Sequence, residues 1–352
     1  MINLSAALNS TGYGCAATNI FRQLWRRSTD LCLWPIGSSY NVEPDLVASV
    51  ERALANRKKF DGNMPSLKIW HQNQLADRYS NNISGALTFF ELDTLSDEEI
   101  CNINSLDVLF VASRWAKDIV DRHCDVKCVV APMGVDTKTF YPMYQLPNDD
   151  TYRFFSCGKI EVRKGHDVLH EIFNRAFRPN DNVELHIKWS NPFLSDQDHA
   201  KWEHMYKNTP LGHKIFFHKT KSQEQLNALI NQCDCGIFPT RAEGFGLSIL
   251  ETIACNKPVI TTNYSAPTEF CHDRNAFLVT PETLEPAYDG KWFFLGSGNW
   301  AKLGDKEIQA FADHMRSCYE QDIRTNNDFL NTTALYNWSF PTEIITNHLG
   351  VS

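Results

Sequence analysis

Apolar residues along the chain fall into two alternating patterns. Short continuous or every-second-residue runs at 2–8, 67–70, 86–90 and 107–112 read as strands. So do 152–157, 183–189, 214–218, 235–238, 259–262 and 277–279. Between them, apolar positions three and four apart predict helices over 16–27, 42–59, 222–232, 248–254 and 306–319. Ser113 is placed to cap a further helix after the strand at 107–112, and 191–209 is polar and helical in part. Strand and helix alternating this way predict parallel sheets wound with helices, and no repeat or low-complexity tract interrupts them.

The densest stretch is 233–262, which reads strand, glycine loop, helix, turn, strand. Pro239 closes its first strand, and Asn256 and Pro258 stop its helix. In the loop, Glu243-Gly244-Phe245-Gly246-Leu247 places two glycines where a backbone can approach a ligand that a Cβ would repel. A helix opening from such a loop offers free N–H groups and the positive end of its dipole, which suits phosphate. Glu243 before the glycines and Glu251 inside the helix cannot bind phosphate, but each can accept hydrogen bonds from sugar hydroxyls. Phosphate donors beside hydroxyl acceptors describe a sugar nucleotide. An ordinary β–α turn with surface glutamates is the plain alternative.

Upstream, the strand at 152–157 leads into Gly158-Lys159-Ile-Glu-Val-Arg163-Lys164-Gly165, a loop with three cations able to neutralise a diphosphate leaving group. At the amino end, Gly12-Tyr-Gly14 follows the first strand but lacks the third glycine of a dinucleotide fingerprint, so NAD binding is not supported. His71, Glu91 and Asp93 follow strands. In open parallel sheets that position faces ligand, although a lone histidine is more often structural.

Length and composition narrow the classes. A chain of 352 residues, 43% apolar, can bury two cores. A formal charge of −8 argues against bulk nucleic-acid binding. Yet residues 1–90 carry nine Lys and Arg against six Asp and Glu, with Arg22, Arg26 and Arg27 along one predicted helix and Arg57-Lys58-Lys59 ending the next. A solvated face explains such charges, and so does an acidic acceptor or peripheral contact with a membrane surface. Eleven cysteines without paired metal-ligand spacing fit small hydrophobes in a reducing compartment. No leader-like amino terminus and no run of transmembrane length appear, and the expectation is a cytoplasmic protein.

The spacing Glu243-(seven residues)-Glu251 around Gly-Phe-Gly-Leu, together with Lys164-Gly165, resembles the donor motif of the retaining glycosyltransferases of family 4, the group 1 glycosyl transferases. Ala266-Pro-Thr-Glu269, Phe277-Leu-Val279 and the tail Tyr336-Asn-Trp-Ser-Phe340 resemble further family segments. Lys159 stands where the family usually has arginine, which keeps charge but loses the bidentate fork; neighbouring Arg163 could compensate. Glu91 stands near the place of the family's cleft histidine.

The resemblance implies an α/β GT-B fold, two Rossmann-like domains facing a cleft. The expected domains are an acceptor-side domain over 1–147, a nucleotide-sugar domain over 148–335, and a segment at 336–352 crossing back. It implies transfer of a sugar from a UDP- or GDP-sugar to a hydroxyl acceptor, a glycan or lipid-linked saccharide, with retention and without metal or other cofactor. Glu251 would bind ribose, Glu243 the sugar, and the 244–247 backbone the phosphates, with Lys159 and Lys164 stabilising the leaving group. Glu91 and His71 would serve the catalytic side, and Gly12 and Gly14 the donor loop of the first domain. Alternatives are a transferase acting on a modified nucleic-acid base and a non-catalytic sugar-nucleotide-binding GT-B protein.

Overall fold

The computed structural model describes residues 2–28, 30–37, 40–143 and 149–351. They form two units, 1–134 with 336–352 and 135–335.

The first unit carries β1 (Ile2–Ala6), α1 (Gly12–Arg27), β2 (Leu31–Pro35), α2 (Pro44–Ala55), β3 (Ser66–Ile69), β4 (Ser84–Thr88), α3 (Asp97–Asn104), β5 (Val108–Val111), α4 (Arg114–His123) and β6 (Cys128–Val130). All six strands pair in parallel, in the order β2-β1-β3-β4-β5-β6. Parallel strands buried on both faces need continuous apolar runs, and VLFV at β5 is one. Ser113 caps α4 by accepting from the Ala116 N–H, as its position predicted. A capping box of Ser96 and Glu99 starts α3. Leu109, Val111, Ile119 and Val120 close one core between sheet and helix.

The second unit carries β7 (Tyr152–Lys159), α5 (His166–Ala176), β8 (Val183–Ser190), α6 (Asp196–Lys207), β9 (Ile215–His218), α7 (Gln223–Asn231), β10 (Cys235–Phe238), α8 (Leu247–Ala254), β11 (Val259–Thr262) and β12 (Ala276–Val279). A short antiparallel hairpin of β13 (Leu284–Pro286) and β14 (Asn299–Ala301) follows, then α9 (Asp305–Glu320) and α10 (Phe329–Leu335). Its six strands are again parallel, in the order β12-β11-β10-β7-β8-β9, with three strands on each side of the reversal where the first unit has two and four. Its core sets Phe154, Leu185 and Ile187 of the sheet against Ile172, Phe173, Phe311 and Met315 of α5 and α9. The last helix, α11 (Ser339–Leu349), packs in the first unit, where Arg27 donates to Thr346 Oγ1 at 3.0 Å.

Each sheet reverses direction once, between β1 and β3 in the first unit and between β7 and β10 in the second. At such a reversal the connections on its two sides pass to opposite faces of the sheet, and ligands of open parallel sheets bind at the carboxyl ends there. Residues 135–143 group with the second unit. Asn227 and Asn231 of α7 hold them, accepting from the backbone N–H of Tyr141 at 3.3 Å and Met143 at 2.7 Å. The boundary expected at 147/148 lies outside the described residues.

The strand at 31–35 and the helix at 166–176 went unread in the sequence. β2 is a four-residue apolar run ended by Pro35 and short of any alternation, and α5 opens on a glycine in place of a polar cap. The helix expected over 42–59 becomes α2 followed by a 3₁₀ turn at Asn56–Lys59.

Candidate active site

At the switch point of the second unit, the loops after β7 and β10 meet. The first forms a 3₁₀ turn, Val162–Lys164, ended by Gly165 at φ 72°. A Cβ on Gly165 would stand 1.9 Å from the Pro239 carbonyl oxygen, so the left-handed backbone and the close approach both demand glycine. The loops are further joined by hydrogen bonds. The Arg241 N–H donates to Arg163 O at 2.7 Å, and the Arg163 guanidinium donates to Ala242 O at 2.6 Å.

This joint brings Lys164 onto Glu243. The ammonium lies 2.5 Å from Oε1 and 2.6 Å from Oε2. Arg163 approaches the same carboxylate at 3.6 Å, but its side chain is only 2% exposed and bonds Glu161 at 2.5 Å. Arg163 thus braces the loop from within; as a donor ligand compensating for Lys159 it is turned the wrong way. Glu161 is a buried carboxylate that the sequence reading passed over. Burial pushes it up, yet the charges of Arg163, Lys159 and Lys164 outweigh burial and hold it below the usual carboxylate range. Lys159 lies 3.5 Å from Glu161, remains half-exposed, and sits over the Phe193 ring at 5.6 Å.

The glycine loop then turns into α8. Gly246 has φ 98° and is the residue before the helix, where a side chain would be strained and would press on Ile249. Because α8 begins at Leu247, the N–H groups of Leu247 and Ser248 have no carbonyl within the helix to meet, while that of Ile249 donates to Gly246 O at 2.9 Å, and this end carries the positive pole of the dipole. Phe245 itself is buried against Phe270, ring centroids 5.0 Å apart, so its side chain packs beneath the loop. Glu251 sits just over one turn into α8. Burial pushes its carboxyl up to about 7, with Lys188 opposing. Cys157 lies beside it on the floor, where Ser248 Oγ approaches Sγ at 3.7 Å.

A further residue escaped the sequence reading. Ser265 adopts φ 58°, ψ −151°, a region nearly confined to glycine, and is 1% exposed. Its Oγ accepts from the Glu243 N–H at 2.9 Å, so the strained residue fixes the backbone of the carboxylate that Lys164 grips. The sign in the sequence was the neighbouring Ala266-Pro-Thr-Glu269 segment, which gave no hint of backbone strain.

In the first unit, the loops after β1, β3 and β4 come together at the carboxyl edge through Tyr13, another residue unremarked in the sequence. Its hydroxyl lies 3.1 Å from Thr88 Oγ1 and accepts from the Phe89 N–H at 3.1 Å, and burial pushes its phenol up. Its ring packs against His71, centroids 4.3 Å apart and tilted by 47°. His71 is exposed, while Glu91 and Asp93 are half-buried just past β4. Gly12 opens α1 with open space around it, whereas a Cβ on Gly14 would stand 2.4 Å from Asn9 O, so Gly14 answers to local packing. Gly12, Gly14, His71 and Glu91 therefore belong to one unit and Lys159, Lys164, Glu243 and Glu251 to the other. Among the described residues, no group of three or more His, Cys, Asp or Glu side chains is arranged to hold a metal ion.

Residues 139–288 match the family model described as glycosyl transferases group 1. A D-inositol 3-phosphate glycosyltransferase of Paenarthrobacter aurescens is 27% identical over 177 residues, covering 46% of this chain and 43% of that protein. The chain thus aligns with less than half the length of the curated relatives it matches first. Among solved structures, sucrose-phosphate synthase from Thermosynechococcus elongatus superposes with a TM-score of 0.72 at 15% identity, covering 99% of this chain and 97% of the other. Anabaena HepE in complex with UDP gives 0.70 at 15% identity, with 99% of each chain covered. The chain has the GT-B fold, and its residues 139–288 are similar to the glycosyl transferases group 1 family.

Proposed function

We propose that the protein transfers a glycosyl group from a nucleoside diphosphate sugar to a hydroxyl acceptor, with retention of anomeric configuration and without a metal ion. The observation that carries the reading is the Lys164–Glu243 pair, held by Arg163 and Ser265 at the mouth of α8. It sets a cation for diphosphate and a carboxylate for sugar hydroxyls side by side, next to free N–H groups of a helix start.

In this reading the diphosphate lies across the start of α8 and draws on Lys164 and Lys159. Glu243, shared with fewer cations, then accepts from the sugar hydroxyls, and Glu251 accepts from the ribose. The bond between anomeric carbon and phosphate oxygen breaks with its electrons on the diphosphate, where the two lysines stabilise charge. The acceptor oxygen bonds to the same face of that carbon, and its proton passes to the departing phosphate. No side chain is asked to form a covalent intermediate. His71 and Glu91 are the first unit's candidates for positioning an acceptor, and Arg57, Lys58 and Lys59, all exposed, suit an acidic one. That HepE was crystallised with UDP supports a uridine nucleotide as the first donor to try.

The test is to incubate the protein with UDP-, GDP- and ADP-sugars and follow slow donor hydrolysis and thermal shift. One sugar nucleotide should raise the melting temperature and be hydrolysed slowly, and Lys164→Ala should lose the hydrolysis. A shift without hydrolysis for every donor would replace the transferase by a sugar-nucleotide binder.

A further inference from the structure

Six of the thirteen exposed large hydrophobic side chains among the described residues lie in or against one hairpin. Leu284, Tyr288, Trp292, Phe294 and Leu295 belong to it, and Phe193 touches it. Trp292, Phe294 and Leu295 are 51%, 60% and 72% exposed, so three of the four residues of Trp292-Phe-Phe-Leu295 face outward at the tip between β13 and β14. Runs of this kind are rare on a solvated surface and mark a binding face.

The tip is built, and not merely loose. The Asp289 carboxylate accepts from three consecutive backbone N–H groups, of Lys291, Trp292 and Phe293, at 2.7–2.9 Å. Phe293 turns inward onto the buried Trp300 at 5.3 Å. Lys291 donates to Phe193 O at 2.5 Å, and the Phe193 and Trp292 rings meet edge-on at 5.6 Å. The base is bolted to the candidate site, since Arg241 donates to Glu285 at 2.9 Å and the Ala301 N–H donates to Arg241 O at 3.0 Å.

We infer that this hairpin is a membrane-docking tip which inserts Trp292, Phe294 and Leu295 into the interfacial layer of a lipid bilayer. Three half-exposed aromatics and a leucine offer on the order of 400 Å² of apolar surface, and a stable protein dimer needs about 800 Å² from each partner. That area is too small for a second copy of the chain, but insertion of a single loop requires no more than its tip. The composition also fits, because tryptophan favours the headgroup level while phenylalanine and leucine reach the acyl boundary. Charge plays a minor part here: Asp289 is spent on its backbone bonds and Lys291 on Phe193, so the interaction is apolar, in contrast to contact through the basic face of the first unit. The inference does not depend on the transfer reaction.

The test is co-sedimentation of the full chain with vesicles of phosphatidylcholine alone and of phosphatidylcholine mixed with phosphatidylglycerol, at low and high salt. Binding should occur to both and persist in high salt, with a blue shift in tryptophan emission. The variant Trp292→Ser/Phe294→Ser/Leu295→Ser should lose binding about tenfold or more. The single variant Leu295→Lys, at the most exposed position, keeps the test open if the triple variant misfolds, and should weaken binding in the same direction. Sedimentation with neither vesicle, or equal binding by folded variants and parent, overturns the inference. A self-association removed by Leu295→Lys, with no vesicle binding, overturns it in favour of a second copy.

Discussion

Lys164 holds both oxygens of Glu243, at 2.5 and 2.6 Å, although 79 residues separate them in sequence. Two residues read separately as a diphosphate cation and a sugar ligand are one ion pair in space. Lys164→Ala therefore removes a leaving-group stabiliser and also leaves the mostly buried Glu243 facing Arg163 alone. Turnover should fall by about two to three orders of magnitude. Glu243→Ala should lower turnover more than donor affinity. Steady-state kinetics with a donor found by the nucleotide screen checks both, and wild-type constants in either variant would detach this pair from the chemistry.

Glu251 makes stability depend on pH. Its carboxyl is raised from the ordinary value of 4.5 to about 7 by burial, so folding favours the protonated form. The stabilisation is fully present below about 4.5 and is lost as pH rises through about 7. Replacing it by glutamine removes this dependence. Glu251→Gln should match the parent near pH 4.5 and exceed it by about 1–3 kcal/mol near pH 8. Denaturant melts at the two pH values check the sign, and a variant weaker at pH 8 would mean that the fold stabilises the ionised carboxylate and does not raise the carboxyl. Nucleotide affinity should fall in the same variant, because an amide accepts less strongly than a carboxylate.

Lys159→Arg should retain or raise turnover. The side chain is 44% exposed and reaches Glu161 at 3.5 Å, so a longer guanidinium has room to keep that contact and fork onto a phosphate. Loss of turnover with an unchanged melting temperature would place the diphosphate elsewhere.

Gly165→Ala should cost roughly 2–4 kcal/mol, from a positive φ and a methyl group set against Pro239 O. Equilibrium unfolding measures the loss, and a stability within about 0.5 kcal/mol of the parent would show that the backbone relaxes freely there.

What the sequence disclosed follows the range over which each feature is encoded. Strand, glycine loop and helix at 233–262 are local, and the structure has them as β10, α8 and β11, shifted by a residue at most. Gly246 could be assigned because positive φ is written in the residue type itself. Arg163 could not be placed, since adjacent residues in a 3₁₀ turn point about a third of a turn apart. That rotation sends Lys164 to Glu243 and Arg163 into the interior. Ser265 and Tyr13 were hidden for a different reason. Their partners, Glu243 and Thr88, lie 22 and 75 residues away, and no short-range pattern records such pairings.

The contact of Gly165 with the Pro239 carbonyl bears on how such a site can be re-engineered. The loops at 158–165 and 239–246 are cast against each other with no space for a methyl group between them. Grafting either one alone from a relative would import a mismatch at this seam before any ligand arrives. Changes of sugar preference should thus travel as paired exchanges, both loops from the same parent, and single-loop chimaeras should fail by folding poorly while their individual ligand-facing residues are all correct.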